Sequence, residues 1–516
     1  MFLITSAAYV TPALASEFGK IPPCMLPVQN KRLYEHQIKL IPSGEHIVLS
    51  LPRSYELTLF DLKRLSTLGV TIVKVPDGFS LGQSVVYVLN VLGRYNDNLH
   101  ILHGDTLFSE LSSHIDICSI AHAEDAYDWD TANQKNHTIY SGYFVFSNQS
   151  LLIRKITENN YNFIEGINGY AHEKTLKHII LPDWMDFGLN NSYYRSISKL
   201  TTQRVFNSMK VTRYSVRKSS KDKNKMYAEA NWILSVPTLM KHYVPALWDK
   251  GENDDKGFYE IEYYFLPTLA NLFVFGKIKS YVWKEIIDAC VQFLNDEAMF
   301  TPDNKDLIAI QNDYLYYNKT IKRLQQYSLK SGISLDTPFR INGIDVPSIR
   351  DIVNEIEPLI SKKDSRFVSL MHGDPCFSNI LYDFKSKSIK VIDPRGIDSK
   401  GNISIYGDFR YDVAKLAHSI IGLYDYIIGG MFEYSENNDY DMTICFEISD
   451  DLKDTQIYFK KQTFGGFNLK ELSTYPILIH LFLSMLPLHS DHPLRQKAML
   501  ANALRLYVEL KQNEKL

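Results

Sequence analysis

The chain has 516 residues, too many for one compact core, so two or three domains are expected. Apolar residues make up 45% and charged residues 22%, an ordinary globular balance, and a formal net charge of −3 argues against a dedicated nucleic-acid binder. Five scattered cysteines (Cys24, Cys118, Cys290, Cys376, Cys445) lack CxxC or CxH spacing, and no uncharged apolar run reaches about 18 residues; a disulfide framework, a zinc site and a membrane span are therefore not expected.

Met1 to Ser16 mimics a secretory signal with a small-residue ending at Ala13–Ala15. No Lys or Arg precedes the apolar stretch, however, and Tyr9, Thr11 and Pro12 interrupt it. The better reading is a buried first strand, Phe2–Thr5, in a cytoplasmic protein. Further strands are predicted at His46–Leu51, Val70–Val75 and Leu99–Leu102, with amphipathic helices at Leu33–Leu40, Leu57–Leu68 and Leu81–Leu92 between them. Such alternation predicts a parallel sheet covered by helices, with ligands at the carboxyl ends of the strands. The pattern changes near Phe206: Lys210–Ser219 reads as strands, Met226–Leu234 as a helix and Phe258–Phe265 as a strand. From Leu266 onward it is mainly helical, broken by His372–Asp393. Two domains are thus expected, 1–205 and 206–516, the second with a small lobe to about 265 and a large helical lobe beyond.

In the first domain Asp105 lies just past the strand Leu99–Leu102, where a carboxylate can hold Mg²⁺ against a nucleotide phosphate, and Asp186 precedes Gly188 as a second candidate ligand. The pieces Ala7-Ala8, Met25–Val28, Gly104-Asp105, Tyr143–Ser147 and Trp184–Gly188 together resemble the sugar-phosphate nucleotidyltransferase superfamily over roughly residues 1–205. That resemblance implies an α/β, Rossmann-like fold with a mixed sheet flanked by helices. It also implies catalytic and metal-binding roles for Asp105 and Asp186, and nucleotide contacts at Ala8. Gln83 reads either as a group on the base edge or as a helix-capping residue. Two features depart from the family: Tyr9-Val-Thr-Pro-Ala replaces its Gly-rich loop, and Pro23 stands at its usual lysine, leaving Lys20 as a substitute.

In the second domain, an apolar strand delivers His372-Gly-Asp374 into a turn, Asn379 opens another strand, and Ile389–Ile392 delivers Asp393 ahead of Gly396. Phosphoryl transfer needs a carboxylate to orient and deprotonate the acceptor, plus oxygen ligands for Mg²⁺; Asp374 suits the first task, Asn379 and Asp393 the second. HGD-x4-N followed by I-D-x-x-G resembles the aminoglycoside phosphotransferase and choline kinase family. The resemblance implies an α+β protein-kinase-like fold and a structural role for His372. It further implies a phosphate-binding Lys218 paired with Glu229, a hinge strand meeting adenine near Glu262 and Tyr264, and a supporting D-x-A element at Asp412. The two resemblances together imply a bifunctional cytoplasmic transferase. It would phosphorylate a sugar, alditol or amino alcohol with ATP and couple the phosphate to an NTP, CTP by analogy, for capsule or lipopolysaccharide synthesis. Two alternatives stay open: a kinase with a non-catalytic nucleotide-binding or oligomerisation domain, and a scaffold without activity. Small-molecule acceptor and nucleotides are the expected partners, without nucleic acid or a membrane span, and a homo-oligomer is left open.

Overall fold

The computed structural model describes the chain except residues 94–96, 123–130, 134–137, 201–206, 312–313, 362, 399 and 514–516. It divides into two compact units, Met1–Leu200 with Phe275–Lys277, and Thr201–Val274 with Ile278–Leu516. The boundary predicted at 205/206 falls outside the described residues.

The first unit is built on a sheet of eight strands. Phe2–Thr5 pairs in parallel with both Ile47–Pro52 and Leu99–His103, and Ile47–Pro52 pairs in parallel with Val70–Val75. Strand–helix alternation alone predicts a wholly parallel sheet, but Thr138–Phe146 runs antiparallel between Leu99–His103 and Ile117–His122, making the sheet mixed. That strand is buried on both faces, as a parallel core strand would be, so its burial pattern does not reveal its direction. Its Phe144 and Phe146 join Leu3, Val48 and Ile101 in one core with the helix Leu81–Leu92. Parallel pairing places Thr5 level with His103, so the residues that follow each strand emerge at one edge of the sheet.

The second unit begins with a four-stranded antiparallel sheet ordered Asn207–Val211, Ser215–Ser220, Lys256–Glu262, Leu247–Asn253. The helix Lys223–Ser235 packs on it, its first turn capped by Asp222, whose carboxylate accepts from Lys225 N. Long helices follow, among them Ser280–Met299, Tyr317–Ser331, Phe409–Ile420, Thr474–Met485 and Pro493–Asn513. They are not the whole of the larger part. A second four-stranded sheet joins the hairpin Pro338–Ile341/Ile344–Ser348 to the hairpin Glu433–Asn438/Asp441–Cys445, in a region predicted as mainly helical. Among the described residues no helix is long and apolar enough to cross a membrane.

Candidate active site

The second unit contains a cavity of about 530 Å³ in which Lys218, Asp374, Asn379 and Asp393 meet. Each arrives for a local reason. Lys218 lies on Ser215–Ser220 directly opposite Tyr259 of the neighbouring strand, on the same face as the buried Ser220. Glu229 lies on the helix Lys223–Ser235, three residues after Met226 and four before Ile233, and so on the stripe that faces the sheet. The Lys218 ammonium is 2.7 Å from Glu229 Oε2 and 3.1 Å from Asp393 Oδ1. Tyr259 donates to Glu229 at 2.8 Å and to Asp393 at 3.4 Å. Burial alone would lower the Lys218 pKa, but Asp393 and Glu229 outweigh it and hold the lysine charged. Gly396 makes this junction fit: its φ is +65°, and a Cβ there would stand 2.2 Å from the Ala228 carbonyl oxygen, one residue before Glu229.

The strand Val368–Leu370 pairs with Tyr406–Asp408 and delivers the turn His372-Gly373-Asp374. Asp412, in the first turn of Phe409–Ile420, accepts from the backbone N–H of His372 at 2.6 Å and of Gly373 at 2.8 Å. His372 is fully buried; its Nδ1 accepts from Asp374 N at 3.2 Å, and the Trp232 ring meets it edge-on at 5.2 Å. Burial pushes the His372 pKa down to about 4, so the imidazole is a neutral prop for the turn. Asp374 itself is open to the cavity. Its Oδ2 accepts from Asn379 Nδ2 at 3.2 Å, and its Oδ1 lies 2.8 Å from the Lys415 ammonium. Burial pushes the Asp374 carboxyl up, but Lys415 outweighs it and holds the group below the usual range, so it is a carboxylate at neutral pH.

Asn379 also donates to Asp374 O at 2.9 Å, which commits its amide nitrogen to the turn and leaves its oxygen as the acceptor end, 3.4 Å from the Ser378 hydroxyl. Asp393 follows the strand Ser388–Val391 with φ +59°, a conformation that Asp tolerates better than most residues. These two oxygen donors fit Mg²⁺, which takes one or two protein oxygens and completes its shell with phosphate and water. Among the described residues no three His, Cys, Asp or Glu side chains gather as a closed metal cage.

At the predicted hinge, the Glu262 backbone N–H donates to Ala246 O at 3.0 Å. Neither Glu262 nor Tyr264 lines the cavity; the Tyr264 ring instead sits under the Lys390 ammonium at 5.1 Å. Conversely, Lys319, Arg323, Arg395, Tyr411 and Lys415 line it and were not singled out in the sequence. Available signals were the i,i+4 spacing of Lys319 and Arg323 and the i,i+3 spacing of Asp412 and Lys415.

Behind the turn lies Glu297, fully buried on Ser280–Met299 beside Asp412. Burial and the Asp412 charge push its carboxyl well above the usual range, and burial likewise pushes Asp412 up to about 7 against its two N–H donors. Folding therefore retains a proton that the unfolded chain releases above about pH 4.3, and stability falls as pH rises from there toward the folded pKa. Glu297→Gln removes the Glu297 share of that dependence. Its melting temperature relative to the parent should climb between about pH 5 and pH 8, as read by calorimetry; a difference constant with pH would contradict the assignment.

In the first unit, the short strand Met185–Asp186 pairs antiparallel with Thr106–Leu107, setting Asp186 level with Thr106 and beside Asp105. Gly188 lies between the two carboxylates: a Cβ there would be 2.8 Å from Asp105 Oδ2 and 3.3 Å from Asp186 Oδ1. Asp186 accepts from Gly188 N at 3.2 Å and from the Ser192 hydroxyl. Two carboxylates around one point are a hard-oxygen donor set suited to Mg²⁺. Gln83 forms a capping box with Ser80, its Oε1 accepting from Ser80 N at 2.8 Å, which is the capping alternative rather than a base-reading one. The Lys20 ammonium stacks over the Tyr9 ring at 4.4 Å, and Ala8 is exposed beyond the first strand. None of Ala8, Lys20 and Gln83 lines the cavity of about 330 Å³ that Asp186 shares with Trp184 and Arg195.

No family model matches the chain, and no curated protein does. Solved structures resemble it at low identity. A thermostable mutant of aminoglycoside phosphotransferase APH(4)-Ia, in ternary complex with AMP-PNP and hygromycin B, is 12% identical with a TM-score of 0.36, over 60% of this chain and 91% of its own. A putative aminoglycoside phosphotransferase from Ralstonia eutropha JMP134 is 10% identical with a TM-score of 0.32, over 62% of this chain and 98% of its own. HddC from Yersinia pseudotuberculosis is 18% identical with a TM-score of 0.29, over 39% of this chain and 99% of its own. Likeness at this level assigns no activity, so the functional reading rests on the chemistry of the two sites.

Proposed function

We propose that the second unit transfers the γ-phosphoryl group of ATP to a hydroxyl of a small metabolite. The observation that carries this reading is the meeting of Asp374, Asn379, Asp393 and Lys218 in one cavity. Asp374 accepts a hydrogen bond from the acceptor hydroxyl, aims its oxygen at the γ-phosphorus and takes the proton as the new O–P bond forms and ADP leaves. Lys218, held charged and in place by Glu229, binds the nucleotide phosphates. Asn379 and Asp393 would hold Mg²⁺, which would neutralise phosphate charge. Lys415 keeps Asp374 ionised and oriented. Incubation with ATP and a panel of hydroxylated metabolites, read by mass spectrometry, tests this directly: one phosphorylated product is expected, and none across the panel would refute it.

For the first unit we infer nucleotidyl transfer: attack of a phosphorylated metabolite on the α-phosphorus of an NTP, with CTP the preferred candidate, releasing pyrophosphate. The pairing of Asp105 and Asp186 around Gly188 supports it. The product would be an activated precursor of the kind used for capsule or lipopolysaccharide. Asp105→Asn should lower pyrophosphate release by about 10²-fold or more, the loss expected when a preorganised charge is removed; an unchanged rate would refute the role. The kinase-only alternative draws on a specific observation, the helix Pro12–Phe18 and the Lys20–Tyr9 stack where a Gly-rich loop and a free lysine would be needed. Pyrophosphate release by the parent protein decides between them.

A further inference from the structure

The Asp374 carboxylate faces two ways. One oxygen meets Asn379; the other meets Lys415, and beyond Lys415 the cavity wall is cationic. Lys319 and Arg323 lie four residues apart on Tyr317–Ser331, one helical turn, and so project from the same face. The Lys319 ammonium is 3.4 Å from the Tyr411 hydroxyl. Arg395 donates to that same hydroxyl at 2.7 Å, with its guanidinium 4.5 Å from the Tyr411 ring centroid. Arg323 donates to the Ser484 carbonyl at 3.0 Å. No carboxylate of the described residues forms an ion pair with Lys319, Arg323 or Arg395.

Burial lowers the pKa of both Lys319 and Arg323, as expected of desolvated cations that lack an anion. Burial pushes Tyr411 up, yet Arg395, Lys319 and Lys415 together bring it down to about 7, a sign of the positive field on this side of the cavity. Desolvated positive charge without a protein anion is costly unless a ligand supplies one. Phosphates of a bound nucleotide would already have Lys218 and a cation that Asn379 and Asp393 would hold.

We propose that Lys319, Arg323 and Arg395 form an acceptor subsite for a negatively charged group, so that the hydroxylated substrate presented to Asp374 carries a carboxylate or a phosphate. This rests on the reading of the second unit as a phosphotransferase with Asp374 as its base. It narrows the acceptor to sugar acids, polyol phosphates and similar anions, and disfavours amino alcohols and amino sugars, whose ammonium would face three like charges.

The test is equilibrium binding by calorimetry to the full chain with Mg²⁺ and a non-hydrolysable ATP analogue, using glucose, glucosamine, glucuronate and glucose 1-phosphate. At least one of the two anions should bind about tenfold or more tightly than glucose, with glucosamine weakest, and Arg323→Gln should remove most of that preference. Which anion leads distinguishes a carboxylate from a phosphate subsite. Equal affinity across the four compounds, a preference for glucosamine, or Arg323→Gln weakening the ATP analogue as much as the anion would overturn the proposal. Parallel assays of ADP formation separate the two levels. Anion preference without ADP from any of the four acceptors supports the subsite and counts against phosphoryl transfer; preferential turnover of glucose or glucosamine overturns the subsite and leaves phosphoryl transfer standing.

Discussion

Asp374→Asn is expected to lower acceptor-dependent ADP formation by about 10²–10⁴-fold, the range that general-base catalysis contributes. The substitution keeps the side-chain volume and leaves an amide oxygen that can still accept from Lys415 or Asn379, so the turn built by Asp412 and His372 should persist. Binding of ATP should be retained, because Lys218, Asn379 and Asp393 are untouched. A loss confined to kcat is the signature of a group acting on the acceptor proton. Retained turnover would move the base elsewhere.

Gly396→Ala is expected to damage both stability and nucleotide binding. The position combines a left-handed backbone, which costs a side chain of the order of 1 kcal/mol or more, with a Cβ placed 2.2 Å from the Ala228 carbonyl oxygen. Backbone cannot yield as a flexible side chain would, and overpacking typically adds about 1–3 kcal/mol. A total near 3 kcal/mol is expected in denaturant unfolding. Relief of the clash requires the helix Lys223–Ser235 to shift, which moves Glu229 from Lys218 and loosens the lysine proposed to bind phosphate. The KM for ATP should therefore rise several-fold in the folded fraction. A variant with parental stability and parental KM would show that Gly396 does not set this junction.

The meeting of Asp374, Asn379 and Asp393 was legible in the sequence because each stands at a fixed offset from a short apolar strand, a local relation that survives folding. Lys218 and Glu229 were legible as types rather than as a pair, since nothing local brings a strand lysine to a glutamate eleven residues on; Gly396, which permits it, acts across the fold. The cationic wall was hidden for the opposite reason. Lys319, Arg323, Arg395 and Lys415 come from three separate segments, and isolated Lys and Arg read as surface residues until the segments meet. The capping role of Gln83 was present in the spacing Ser80-x-x-Gln83 and is purely local. For the missed sheet, Asn342-Gly343, with φ +50° and +79°, is a strong hairpin turn signal. Its partner pairing, Arg340 with Asp441, joins residues about a hundred apart, and only the outer strand Glu433–Asn438 is polar and exposed enough to leave little periodicity to read.

The most direct test of the phosphotransferase cavity is a crystal structure of the chain with Mg²⁺ and a non-hydrolysable ATP analogue. The account predicts the terminal phosphate between Lys218 and Asp374, with the metal on Asn379 and Asp393 oxygens. A nucleotide bound with its phosphates outside the Asp374 cavity, or a metal that avoids both Asn379 and Asp393, would contradict it.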